Sequence, residues 1–169
     1  MKHVKKIAVA LMLFVGATSF VNAQSKIAHI DVTQLLSNMP EMKVAEAELK
    51  KLQETYNADI EASMTEYRNK LTQYQNEAPS KSKEENDKRA LEIQGFEKNI
   101  GDAQQAAQQE FQKKQGELFA PISDKAKAAI ERVAAAQGFD YVINAQQGAG
   151  LIVANGKDLL ADVKKELGF

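Results

Sequence analysis

Apolar residues recur every three or four positions through two long segments of the chain. The first stripe runs from Met42 to Tyr74 and the second from Ile93 to Val133. Such steps follow one face of an α-helix and exclude a strand, in which apolar positions alternate. About two positions in seven are apolar, as in a coiled-coil seam rather than a helix lying on a large core. The pattern therefore predicts two long helices that pack mainly on each other.

The polar stretch QNEAPSKSKEEN, residues 75–86, separates the two stripes. Pro79 disfavours a helical conformation at the residue before it, and Ser80 or Ser82 suits the cap of a returning helix. If the chain folds back near residue 80, the numbers of facing residues sum to about 160, as for Met64 with Phe96. We therefore predict an antiparallel hairpin arm over residues 41–118 with its tip near 79–82. Its first helix would be about 57 Å long.

Short apolar segments near the two ends of the chain predict three strands. They are KIAHIDV at 26–32, FDYVIN at 139–144 and LIVAN at 151–155, and the glycine-rich AQQGAG is expected to join the last two as a hairpin. Asp158 suits the cap of a closing helix that Gly168 ends. Three short strands make a poor sheet alone, and their unpaired edges favour assembly. The predicted fold is α+β, with a small strand body formed by residues 24–40 and 119–169.

Residues 1–23 have the pattern of a signal peptide: a basic start, an apolar run, and small residues before a cleavage site after Ala23. We expect export, with an uncleaved membrane anchor as the alternative. Removal of this segment leaves 19 basic and 23 acidic residues, and this balance does not favour nucleic-acid binding. The chain has no cysteine, so its stability must come from packing or assembly.

The sequence predicts no catalytic, metal or cofactor site. His29 is the only histidine after residue 23, and its place in a strand favours a structural or subunit-contact role over that of a base or ligand. The segment GAGLIVANG resembles part of a dinucleotide loop, but no long helix begins at Gly150 to bind a phosphate. Lysines alternate with the acidic residues, as on a solvated surface. We therefore predict neither an enzyme nor a nucleotide-binding protein.

The order of these elements resembles the Skp/OmpH family of periplasmic chaperones over essentially the whole chain after residue 23. The resemblance rests on IAHIDVTQLLSNMPE, LFAPISDKAKAAIERVAAAQGFDYVIN and KDLLADVKKEL, with Leu160 where the family usually has Thr. It implies a homotrimer in the periplasm, whose strands form a small barrel and whose arms surround a cavity. The implied function is that of an ATP-independent holdase, which keeps unfolded outer-membrane β-barrel proteins soluble for delivery and insertion.

Two sets of residues are expected to carry this function. The expected client-binding residues on the arm, whose spacing also suits packing between its helices, are Met64, Tyr67, Tyr74, Phe96, Tyr56 and Phe111. The expected trimer-interface residues of the body are Ile30, Val32, Tyr141, Val142, Ile143, Leu151, Ile152 and Val153. Because the chain after residue 23 is acidic, peripheral contact with membrane lipids or lipopolysaccharide is left open. The rival hypothesis is a structural tether or adaptor that docks through the hairpin tip, although APSKSKEEN lacks an apolar hot spot.

Overall fold

The computed structural model describes residues 25–169, so the expected signal peptide and its cleavage after Ala23 lie outside the described residues. Two long helices, two short helices and three short strands make up the described chain. In chain order they are β1 Ile27–Ile30, α1 Val32–Asn38, α2 Pro40–Glu77, α3 Lys83–Gln137, β2 Tyr141–Asn144, β3 Lys157–Asp158 and α4 Leu160–Leu167.

The helix ends follow from local chemistry. Asp31 ends β1 and caps α1, because its Oδ1 accepts a hydrogen bond from the Gln34 amide at 2.8 Å. Pro40 is the first residue of α2, where its missing amide hydrogen costs nothing. Gly138 ends α3 with a φ of 71°, a left-handed conformation that glycine adopts without strain. Gly168 ends α4 in the same way, as its sequence position predicts.

The hairpin reverses slightly later than Pro79. Residues Ala78–Ser80 form a 3-10 turn that continues directly from α2, so the residue before Pro79 remains helical. The break lies at Lys81 and Ser82, both extended, and Ser82 then caps α3 through the Glu85 amide at 3.2 Å. A turning point two residues later moves the register by four. Hydrogen bonds and ion pairs across the hairpin join residues whose numbers sum to 162 to 166, two to six more than the expected 160 and about one helical turn on average.

The sheet differs from the prediction in its third strand. β1 is central and pairs in parallel with β2 on one side and β3 on the other. The expected strand at 151–155 and its hairpin with 139–144 were therefore wrong. Both sides of β1 are occupied, by β2 and by β3, and residues 151–155 form no strand along the free outer edge of β2 either. The third strand follows at Lys157–Asp158 instead.

The body has one small apolar core between the sheet and the helices. Ile30 of β1 packs with Leu35 and Met39 near α1, with the inner part of α3, and with Leu159 and Val163 at the last helix. These five side chains are at most 1% exposed. No buried polar or charged residue occurs in the described chain. In chain order the hairpin arm lies between β1 and β2, so it is inserted in the connection between these two parallel strands.

The predicted fold class is confirmed: a small strand body carries a long antiparallel helical hairpin. Within residues 25–169, no helix combines the length and apolar character needed to cross a bilayer.

Candidate functional site

The arm is the most extended surface of the protein, and polar side chains link its two helices at intervals. The hydroxyl of Tyr56 donates a hydrogen bond to Glu110 at 2.7 Å, and that of Tyr67 donates to Glu97 at 2.5 Å. Nearer the body, Lys114 pairs with Glu48 at 2.8 Å. The seam therefore has a row of tyrosine–glutamate and lysine–glutamate contacts beside its apolar stripe.

A denser cluster ties the arm together near its tip. Glu92 accepts hydrogen bonds from Lys70 and from the Tyr74 hydroxyl, each at 2.6 Å. The Arg89 guanidinium lies 4.6 Å from the centre of the Tyr74 ring and pairs with Glu77 at 2.8 Å. Such cation–π contacts add to the ion pairs. The outer arm, defined here as residues 60–104, is thus closed by charged and aromatic groups together.

These contacts shift the ionisation of the groups that make them. Hydrogen bonds from Lys70 and then Tyr74 hold the pKa of Glu92 below its usual value of 4.5. The hydrogen bond to Glu97 raises the pKa of Tyr67 above 10.0, because it favours the protonated phenol beside a carboxylate. At neutral pH both contacts are therefore in the ionisation state that makes them.

The six expected client-binding residues all lie at the seam, where five of them are half-buried and Met64 is 42% exposed. The three tyrosines among them use their hydroxyls to join the two helices, so packing within the arm is part of their role. Their rings still keep some surface open to solvent. Client contact by these side chains stays a prediction.

The expected interface residues are distributed unevenly over the body. Ile30 is buried in the chain's own core, whereas Ile152 is 96% exposed, Val153 65%, Tyr141 60% and Ile143 40%. Val32 and Val142 line an open groove of about 660 Å³ between α1, α3 and β2. Exposed apolar side chains and the free outer edge of β2 therefore lie on the same small body.

His29 has a structural position. Its Nε2 lies 3.2 Å from the carbonyl oxygen of Gly156, which links β1 to the loop before β3. In the part of the chain that the structure describes, no three acidic or histidine side chains are grouped in a way that would hold a metal ion.

Sequence patterns missed the glutamates that receive the tyrosine hydroxyls. Apolar spacing places Tyr67 opposite Ile93, whereas the Tyr67 hydroxyl reaches Glu97 one turn further along α3. A tyrosine on one helix with a glutamate one to two turns beyond its expected partner is the signal that would have found them.

Comparison with known proteins places nearly all of the described chain in one family. A family model described as outer membrane protein (OmpH-like) matches residues 26–167. The chain belongs to the OmpH-like family. Because this is a family of chaperones and not a class of enzymes, the prediction that the protein is not an enzyme is confirmed.

Relatives of this OmpH-like chain are similar over nearly their full length. The chaperone protein Skp of Pectobacterium atrosepticum is 24% identical over 160 residues, which cover 95% of this chain and 96% of that protein. The chaperone protein Skp of Photorhabdus luminescens is 23% identical over 159 residues, covering 94% and 93%.

A solved structure supports the OmpH-like fold independently. It comes from Caulobacter crescentus and is described as an OmpH-like outer membrane chaperone. The two structures superpose with a TM-score of 0.75 at 16% identity, over 86% of this chain and 85% of the other. The likeness therefore extends over both the body and the arm.

Proposed function

We propose that this OmpH-like protein is an ATP-independent periplasmic holdase that keeps unfolded outer-membrane β-barrel proteins soluble. The observation that carries the proposal is the construction of the arm. Along the outer arm, seam side chains such as Tyr67, Leu71 and Phe96 are half-buried rather than buried. An unfolded chain can therefore contact apolar surface along much of an arm about 57 Å long.

Assembly would turn single arms into a binding cavity. The strand body exposes Tyr141, Ile152 and Val153, and β2 has a free edge, features that favour association with further copies. A homotrimer would carry three arms, and many weak contacts on separate arms hold a client by avidity. This arrangement needs no nucleotide and no fixed pocket, which suits diverse clients.

Charge argues for apolar capture rather than long-range attraction. Residues 41–136 contain 15 basic and 18 acidic residues, so each arm carries a net negative charge. Exposed charges are screened beyond about 8 Å at physiological salt, and an acidic client would not be drawn to such arms. We therefore expect client affinity to be flat or to rise as salt increases.

The test is a titration of a fluorescent unfolded outer-membrane β-barrel protein with the chaperone from low to high salt. It is repeated with Tyr67→Ser and Tyr74→Ser, which remove the aromatic ring together with its phenol hydroxyl, and with Tyr67→Phe and Tyr74→Phe, which keep the ring. The proposal expects weaker binding in the serine variants and near-normal binding in the phenylalanine variants.

A different outcome would contradict this account of capture. If affinity falls ten-fold or more as salt rises, a change of about 1.4 kcal/mol, and all four variants bind normally, then lysines near the tip capture the client. Failure of the unmodified protein to prevent aggregation of any unfolded β-barrel protein would overturn the holdase function itself.

A further inference from the structure

The middle of the arm has two unlike faces at the same level. One face carries charged side chains, among them Glu48, Lys51, Glu110 and Lys113. The other is a groove of about 600 Å³ between α2 and α3, whose lining contains no charged residue. In a chain that is 27% charged, such a neutral groove on an exposed arm is unusual.

Carboxamides form the walls of this groove, and apolar side chains form its floor. The floor is made by Tyr56, Ile60, Ala107 and Phe111. The wall carboxamides are Gln53, Asn57, Gln104, Gln108, Gln112 and Gln115. Gln53 donates a hydrogen bond to Asn57 at 2.9 Å, whereas the structure records no side-chain hydrogen bond for the four α3 glutamines within residues 25–169. We name this surface the amide groove.

A carboxamide is chemically matched to a peptide group. It offers N–H donors and a carbonyl acceptor, as the backbone of an unfolded chain does. Such pairing requires no particular client side chain and no charge. It therefore suits a partner whose sequence varies but whose backbone does not.

The spacing of the glutamines also matches an extended chain. Gln104, Gln108 and Gln112 are separated by four residues each on α3, which places them about 6 Å apart along the helix. Peptide groups on one side of an extended chain repeat every two residues, at about 6.6 Å. The small mismatch is within the reach of flexible glutamine side chains over the two steps that separate these three residues. Successive glutamines can thus meet successive peptide groups on the same side of one strand.

We infer that the amide groove binds an unfolded client through its extended backbone, with Gln104, Gln108 and Gln112 pairing with alternate peptide groups above an apolar floor. The inference rests on the proposed holdase function and names the part of the client that the mid-arm recognises. The outer arm, with Tyr67 and Phe96, would bind apolar side chains of the client, while the amide groove would bind the client backbone between those side chains.

The test compares two double variants of α3, in which the substituted positions of the second variant are each one residue later than those of the first. Gln104→Met with Gln108→Met removes two carboxamides from the amide groove, while Gln105→Met with Gln109→Met changes exposed glutamines outside its lining. Methionine is similar in length and helix propensity to glutamine, and it adds the same apolar surface in both variants. We expect binding of an unfolded outer-membrane β-barrel protein to weaken about five-fold in the first variant, as for the loss of two modest hydrogen bonds, and less than two-fold in the second.

A pair of synthetic peptides tests the role of the backbone directly. Both have the same sequence of alternating alanine and serine, about twelve residues long or roughly 40 Å when extended. One is methylated at every second peptide nitrogen, which removes those N–H donors. In an NMR titration the unmodified protein should bind the parent peptide about three-fold more tightly or better, as expected from lost hydrogen bonds, and the Gln104 and Gln108 variant should lose this preference.

The outcomes separate the inference from the function on which it rests. If the unmodified protein holds unfolded clients but both double variants weaken binding equally, or both peptides bind equally well, the amide groove is not a backbone site. If the unmodified protein holds no unfolded client, the proposed function fails as well.

Discussion

The body and the arm differ in how completely they bury their apolar residues. In the body, Leu35, Met39, Leu159 and Val163 are fully buried, and the core contains no polar group. In the arm, Leu49 is the last buried residue of α2, and α3 has no buried residue before Ile122. Beyond this point the two helices are joined by half-buried seam residues and by tyrosine–glutamate and lysine–glutamate contacts.

This difference assigns the two regions different mechanical roles. A fully packed core resists local opening, so the body holds the base of the arm in place. Half-buried seams and exposed ion pairs contribute little each, so the outer arm opens locally at lower cost than the body. The proposed holdase function benefits from this combination, because clients must be both held and released.

The largest expected effect comes from the same substitution made in the two regions. Leu35→Ala empties a fully buried position and should lower the free energy of unfolding by about 2–5 kcal/mol. Leu71→Ala, at a half-buried seam position of the arm, should cost about 1 kcal/mol, because much of that side chain is already solvated. Chemical denaturation at matched protein concentrations measures both. Equal losses would show that the arm has a core comparable to that of the body.

The sequence predicted the elements of both regions better than the contacts between them. Helical periodicity and the polar stretch at residues 75–86 were sufficient for the hairpin, because both are local. The register was four residues off, since it depends on the extended Lys81 and Ser82. Residues 151–155 have strand-like composition but pair with no strand of the described chain, although β2 has a free edge. Whether such a segment pairs depends on partners that a single sequence does not display.

The second prediction concerns the exposed loop of the body. Ile152 is 96% exposed in the single chain, so Ile152→Asp should leave folding nearly unchanged, within about 0.5 kcal/mol. If a neighbouring subunit covers it, the buried charge costs several kcal/mol and the trimer dissociates. Val142 is a weaker choice, because it also packs against the chain's own core.

Sedimentation should then show folded single chains for Ile152→Asp and intact trimers for Gln147→Asp, a control in the same exposed loop. Trimers in both variants would place the subunit interface elsewhere on the body.

The third prediction uses acid to separate the two regions. The pKa of Glu92 is lowered by its hydrogen bonds from Lys70 and Tyr74, so its stabilising contribution is present above pH 4.5 and is lost as pH falls through the lowered value. In the body, hydrogen bonds from Lys157 and Gln137 also lower the pKa of Asp162, but the apolar core there contains no buried ionisable group and does not depend on that surface contact. Amide hydrogen exchange measured at several pH values should therefore show the outer arm loosening before the body. In Glu92→Gln the outer arm should exchange faster already at neutral pH and respond less to acid. An outer arm and body that loosen together in acid would contradict this order.

The smallest expected effect comes from removing one of the tyrosine hydroxyls that join the two helices of the arm. Tyr67→Phe keeps the ring in the seam and removes the 2.5 Å hydrogen bond to Glu97. Amides around residues 64–70 and 94–100 should exchange roughly two- to five-fold faster, because one partly exposed hydrogen bond contributes modestly. Amides of α4 in the body should not change. Tyr141→Phe is the matched control, since Tyr141 is 60% exposed on the body and lies far from the seam in the fold. If Tyr67→Phe leaves exchange in the arm unchanged, the tyrosine–glutamate contacts do not join the helices, and the half-buried apolar stripe alone holds the arm closed.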